Sequence, residues 1–255
     1  MLFDKIAYGP IHSRRLGTSL GMEIMPLDHK LCTFNCVYCE CGWNIPVSHP
    51  VLPTREEVKA ALEAKLQSLA SEGVTLDVIT FSGNGEPTLH PDFLSIIRDT
   101  CVLRDRYYPS AKVSVLSNST QLGRPEVVEA LRLCDNRILK LDAATDSMMR
   151  RIDLPVNERL DVAAIMGWLQ LFKGDFILQT CFLRGEHDGQ TIDNTTPAEL
   201  KAWYKAVRTL QPRQIMMYVI DRKTPEERLE KISRAEMETI AAPLIAEGFD
   251  VSISA

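Results

Sequence analysis

Leu76-Asp77-Val78-Ile79-Thr80-Phe81-Ser82, followed at once by Gly83-Asn84-Gly85-Glu86-Pro87, is the stretch on which the reading of the fold turns. Val78, Ile79 and Phe81 crowd the centre of a short run that ends in turn residues, the mark of a buried strand. The two glycines then permit close backbone approach and positive φ, and Glu86 brings one carboxylate to the strand's end. Taken alone, the turn is either an ammonium-binding loop or a tight connection into a helix.

Outward from this stretch the same alternation continues to both ends of the chain. Upstream, Ser19 to Met25 reads as a first strand ending at Pro26. Pro53-Thr54-Arg55-Glu56-Glu57 opens a helix to Leu69, with Thr54 as cap and Glu57 completing a capping box. Downstream come helix Pro91 to Arg104, strand Lys112 to Leu116, helix Pro125 to Leu133 and strand Ile138 to Leu141. Two helical pieces flank Pro155. Strand Phe176 to Leu183, helix Pro197 to Leu210, strand Gln214 to Ile220, helix Arg234 to Ala246 and a last strand near Val251 complete the order. Six strand-helix units predict an α/β protein with a parallel sheet, curved into an open barrel or doubly wound. Functional groups are then expected at the strands' C-terminal ends. No linker, repeat or low-complexity tract interrupts the 255 residues, so one domain is expected over 1–255, with a loop at 28–43 and a short extension from about 233.

The loop after the first strand carries Cys32, Cys36 and Cys39, spaced CxxxCxxC, with Tyr38 before the third cysteine. A [4Fe-4S] cluster takes four thiolates, so three leave one iron open to a ligand that is not protein. In a parallel sheet this loop and the glycine turn are neighbours. A four-cysteine zinc knuckle using Cys41 is the competing reading. Cys101, Cys134 and Cys181 stand in apolar stretches and read as small buried side chains.

Through Cys32-Thr33-Phe34-Asn35-Cys36-Val37-Tyr38-Cys39 and Gly83-Asn84-Gly85-Glu86-Pro87 the chain resembles the radical SAM superfamily. The resemblance implies a partial (β/α)6 barrel. It also implies that Cys32, Cys36 and Cys39 hold a [4Fe-4S] cluster whose fourth iron is chelated by the amino and carboxylate groups of S-adenosylmethionine. Gly83, Asn84, Gly85 and Glu86 then receive the amino group, and Tyr38 lies near the adenine. Asn84 stands where the family more often has a second glycine. The chemistry implied is one-electron cleavage of S-adenosylmethionine to methionine and a 5′-deoxyadenosyl radical, which takes hydrogen from a substrate. An external one-electron reductant, flavodoxin-like or ferredoxin-like, is the partner implied.

Other rim positions carry two readings each. Ser117 and Asn118 after the third strand, and Lys140 and Asp142 at the fourth, are expected to touch the cofactor's ribose or carboxylate, or else to cap loops. Gln179, polar inside an apolar strand, is a cofactor contact or a satisfied core amide. Glu186, His187 and Asp188 after strand five, and Arg222 after strand six, are the candidates for substrate contact and catalysis, against the commoner use of such residues in solvated loops. Tyr8-Gly9-Pro10-Ile11-His12-Ser13-Arg14-Arg15, with Asp221 to Glu226, resembles the wyosine-synthase-like branch of the superfamily, and Arg14 and Arg15 are candidate anion binders. No cysteine precedes Cys32, whereas that branch has a second cluster upstream. The resemblance therefore carries the fold and the radical step, not the substrate.

Odd cysteine count and clustered spacing point to a reducing cytoplasm rather than a secreted disulfide framework. The N-terminus has no signal-like pattern, and no run approaches the roughly 18 apolar residues of a membrane span. The net charge of −5 gives no global attraction to RNA, though a local basic patch is compatible with it. Three functions fit: a radical SAM enzyme acting on a small molecule, modified RNA base or peptide; an activase installing a glycyl radical on a partner protein; and a non-catalytic iron-sulfur or zinc module.

Overall fold

A computed structural model describes residues 2–13 and 16–255. The candidate anion binders Arg14 and Arg15 lie outside the described residues. Two compact units form, one from residues 1–32, 44–117 and 121–137, the other from 33–43, 118–120 and 138–255.

In the first unit β1 (Ala7–Ser13) pairs antiparallel with β2 (Gly17–Met22). The chain then forms α1 (Arg55–Ser71), β3 (Val78–Phe81), α2 (Phe93–Tyr107), β4 (Lys112–Ser117) and α3 (Pro125–Leu133). Strands β2, β3 and β4 are parallel, with Leu20 beside Ile79 and Ile79 beside Val113. Helical crossovers impose that direction, because adjacent parallel strands cannot be joined by a tight turn. All four β3 residues are buried, the pattern of a strand covered on both faces. Helix α1 starts where expected, with the Thr54–Glu57 capping box formed and Val58, Leu62, Leu66 and Leu69 buried along one face. Strand β1 is an addition to the expected order. Its four central residues are exposed and include Pro10, so it shows no inward periodicity and suits only a sheet edge.

The second unit uses residues 138–140 of β5 (Asn136–Lys140), α4 (Asp146–Ile152), α5 (Val162–Leu169), β6 (Ile177–His187), β7 (Gln190–Asp193), α6 (Pro197–Leu210), β8 (Gln214–Val219), β9 (Leu229–Lys231), α7 (Arg234–Ala246) and β10 (Val251–Ser254). Strands β5, β6, β8 and β10 pair in parallel in that order. Trp203 of α6 is 2% exposed, meets Phe182 edge-on at 5.1 Å and donates its indole N–H to Thr180 Oγ1 at 3.0 Å. The expected loop at 184–188 is corrected. Strand β6 runs on to His187, because its outer half is paired antiparallel with β7 and with β9. Cross-strand hydrogen bonds support the charged run Arg184–His187, which carries no apolar alternation. Cys134 and Cys181 are buried as expected, whereas Cys101 is only half-buried.

Candidate functional site

Where β2 and β3 end, the first unit closes around a buried acid. Glu23, one residue beyond β2, is fully buried, and its carboxylate accepts the backbone N–H groups of Met25, at 2.7 Å, and of Asn84. Burial pushes its carboxyl up to about 7, against the pull of these backbone N–H groups. A Cβ on Gly83 would collide with this carboxylate, so glycine is required there for close approach. Asn84 has no exposed surface. Its side chain exchanges hydrogen bonds with the backbone of Phe3, both at 2.8 Å, and donates to the Pro26 carbonyl at 3.0 Å.

Gly85 pairs with Leu31, the residue before Cys32, in an isolated parallel bridge. Leu31 donates to the Asn84 carbonyl and Glu86 donates to the Leu31 carbonyl, each at 3.0 Å. The approach to the cysteine loop and the glycine turn are therefore neighbours, as the order of strands predicts. Glu86 is 1% exposed, and its carboxylate accepts from Thr88 N at 3.1 Å, Thr88 Oγ1 at 2.5 Å and Ser117 Oγ at 2.9 Å. It caps the short turn of helix at Pro87–Leu89. Cys32 ends the first segment of this unit, its carbonyl accepting from Asn44 Nδ2 at 3.1 Å.

In the second unit the rest of the loop is held by α4 and its C-terminal end. Val37 donates to Ile152 and Asn35 to Asp153, while Cys39 donates to the Cys36 carbonyl at 3.1 Å, placing the second and third cysteines on one turn. Lys140, the last residue of β5, sends its ammonium to the Cys36 sulfur at 3.0 Å, to Asp153 Oδ1 at 2.8 Å and to Asp142 Oδ2 at 3.0 Å. The same Asp142 oxygen accepts the Tyr38 hydroxyl, and its other oxygen accepts Cys181 N at 2.8 Å. Tyr218 of β8 donates to the Tyr38 hydroxyl at 3.2 Å. Burial works against the Lys140 ammonium, but Asp142 and Asp153 outweigh it and hold Lys140 well above its ordinary range. Burial also lifts the phenols of Tyr38 and Tyr218 and the thiol of Cys181.

The remaining predicted residues separate by position. Asn118 caps its own loop, accepting from Thr120 N at 3.0 Å and donating to Thr33 Oγ1 at 2.9 Å. Gln179 is 7% exposed and lies beside Lys140 in parallel register. Among the charged candidates, Glu186 pairs with Arg228 at 2.5 Å and Arg222 with Glu40 at 2.6 Å, while Asp188 is an exposed turn residue. His187 is the better enclosed. Its Nδ1 meets Glu226 Oε2 at 2.9 Å and its ring lies 5.4 Å from that of Trp43. The backbone N–H of Glu226 donates to the Val37 carbonyl, tying this corner to the cysteine loop. Hydrogen bonds from His187 and Arg228 pull the Glu226 carboxyl down to about 2.

Reading the sequence missed Glu23, Asp153, Tyr218 and Trp43, and met Glu226 only as the end of the Asp221 to Glu226 stretch, with no role given to it. Glu23 alone left a usable signal, a single acid inside the apolar run Leu20 to Met25. Among the described residues no three His, Cys, Asp or Glu side chains are gathered as the ligands of a single metal ion would be. The fit to an iron-sulfur cluster rests on donor chemistry: clustered thiols on a short loop, one of them 7% exposed beside a cation able to balance a thiolate.

The model of the family described as the radical SAM superfamily matches residues 29–173, a span that holds both the cysteine loop and the glycine turn. A Brachyspira hyodysenteriae protein named GTPase Obg is 29% identical over 243 residues, covering 93% of this chain and 33% of that protein, so this chain spans about a third of that relative's length. A UPF0026 protein of Synechocystis sp. is 30% identical over 227 residues, covering 87% of this chain and 77% of that protein. Among solved structures, Streptococcus suis SuiB bound to S-adenosylmethionine aligns with a TM-score of 0.64 at 12% identity, over 89% of this chain and 49% of that one. TYW1 with a lysine-pyruvate adduct bound aligns with a TM-score of 0.61 at 16% identity, over 91% and 74%. These likenesses establish the α/β fold expected from the sequence.

Proposed function

Because the chain belongs to the radical SAM superfamily, a family of enzymes, and to the UPF0026 proteins, we propose that it binds a [4Fe-4S] cluster through Cys32, Cys36 and Cys39 and uses S-adenosylmethionine to start radical chemistry on a small molecule, modified RNA base or peptide. The observation carrying this reading is that one family match spans both motifs, Cys32–Cys39 and Gly83–Glu86. What the bound cofactors supply is one electron delivered to the sulfonium, which splits a carbon-sulfur bond and leaves methionine and an adenosyl radical.

The protein's own residues do the rest. Phe34 and Val37, 2% and 0% exposed, pack the cysteine loop inward and keep water from its inner side. The backbone at Gly83 and Gly85 presents polar groups to the ammonium of S-adenosylmethionine, while Glu23 and Glu86 hold that turn from beneath. Gln179, in register with Lys140, faces the cofactor's ribose or carboxylate. His187, its Nδ1 2.9 Å from Glu226 Oε2, is the better enclosed candidate for substrate contact, and Glu186, Asp188 and Arg222 are the others. An external one-electron donor of the flavodoxin or ferredoxin kind reduces the cluster.

The test is anaerobic reconstitution of the full chain with iron and sulfide, followed by dithionite and S-adenosylmethionine. About four irons with matching sulfide are expected. Slow 5′-deoxyadenosine formation is expected in the wild type and none in Cys36→Ala. One zinc per chain, or equal activity in both proteins, refutes the assignment.

A further inference from the structure

We propose that Lys140 is a positioning residue whose ammonium, aimed by Asp153 and Asp142 at the Cys36 sulfur, raises the reduction potential of the bound cluster. This rests on the cluster assignment above. The sequence placed Lys140 among the groups that touch S-adenosylmethionine, and the geometry gives it a different task.

A protonated lysine has three N–H donors and no acceptor. Two are donated, to Asp153 Oδ1 at 2.8 Å and to Cys36 Sγ at 3.0 Å, and the ammonium also forms an ion pair with Asp142 Oδ2 at 3.0 Å. The ring faces of Tyr38 and Phe34 lie 4.9 Å and 5.3 Å from Nζ, and only 11% of the side chain is exposed. The ammonium is already engaged by two carboxylates and a sulfur. The base of the side chain is equally fixed, since Lys140 sits in β5 in register with Gln179 of β6.

These three partners explain what the cation is for. As a thiol, Cys36 donates to Asp153 Oδ1 at 3.4 Å. A cluster held by Cys36 would set its sulfur beside the Asp153 carboxylate, a repulsive pair in a buried site unless a cation stands between them. Lys140 touches both partners, so the arrangement that strains the thiolate alone is balanced once the ammonium is counted. Asp142, which pairs with the ammonium, is itself anchored by the backbone of Cys181 and by the Tyr38 hydroxyl. A cation donating a hydrogen bond to a cluster sulfur favours the reduced, more negative state, and hydrogen bonds to sulfur are among the levers that set such potentials.

The experiment compares reconstituted wild type with Lys140→Met and Lys140→Arg, without S-adenosylmethionine, by a dithionite titration followed by electron paramagnetic resonance. Iron and sulfide in the wild type test the cluster assignment independently of any variant. Lys140→Met is expected to disfavour reduction about tenfold or more, a midpoint about 59 mV lower for each tenfold. Lys140→Arg is expected to stay within about threefold, since it keeps the charge and the donors. A Lys140→Met protein with full iron and the wild-type midpoint overturns the proposal. Should that variant lose its iron, Lys140→Arg and Lys140→Gln decide. Iron kept by Arg, with iron lost or the midpoint lowered in Gln, supports it; iron lost in Arg, or a Gln variant at the wild-type midpoint, overturns it.

Discussion

The carboxylate of Glu23 accepts the backbone N–H of Asn84, sixty-one residues further along the chain, and packs where a side chain at Gly83 would otherwise stand. The end of β2 and the turn after β3 are thereby joined by one buried acid. Its proton is held in the folded chain up to about pH 7, whereas an exposed glutamate releases it near 4.5.

Stability should therefore fall as pH rises from about 4.5 to about 7, because across that window the folded chain keeps a proton that the unfolded chain has lost. The contribution is on the order of 3 kcal/mol between the ends of the window. Glu23→Gln should flatten that slope. Urea unfolding at pH 5 and pH 8 measures it, and an equal slope in the variant would show that Glu23 is not the group responsible.

Gly85→Ala should destabilise the first unit by about 3 kcal/mol, because a methyl group there meets the Leu31 carbonyl at a positive φ. Leu31 precedes Cys32, so iron uptake during reconstitution should drop as well. Normal thermal stability with normal iron content would contradict the tight pairing of the two loops.

Glu86→Ala removes a buried carboxylate from Thr88 and Ser117 and should cost about 2 kcal/mol. Glu86→Gln should recover part of that loss, since an amide oxygen still accepts. Differential scanning calorimetry separates the two variants. Equal midpoints for Ala, Gln and wild type would mean that the carboxylate does not support the turn.

Tyr38→Phe keeps the ring beside Lys140 and removes only the hydroxyl between Asp142 and Tyr218. A loss of about 1 to 2 kcal/mol in unfolding free energy is expected, with cluster content retained. Complete loss of iron would assign the hydroxyl a larger part in holding the loop.

His187→Gln should leave iron content and substrate-independent 5′-deoxyadenosine formation within about twofold of wild type, because His187 contacts Glu226 and Trp43 rather than the cysteines. Loss of basal cleavage in this variant would move His187 from the substrate side to the cofactor side.

Features set by near neighbours in the chain are legible in the sequence itself. Helices α3 and α6 occupy Pro125–Leu133 and Pro197–Leu210 as read, and the Thr54–Glu57 box forms, since caps and prolines within one turn decide such ends. The spacing of Cys32, Cys36 and Cys39 and the glycine turn at 83–85 belong to the same local class. Tertiary structure decided which side chains meet. Lys140 reaches Cys36 across 104 residues of chain, and Glu23 reaches Asn84 across 61, through strand register that no local pattern encodes. Strand β6 is extended in the same way, by two antiparallel partners that hold charged residues in a ladder their own periodicity does not announce. The sequence alone thus determined the alternation of the parallel strands and helices and the stock of reactive groups, while the antiparallel strands β1, β7 and β9 went unread. Packing determined which of those groups are buried and paired, because burial and charge balance depend on what stands opposite rather than on what stands next.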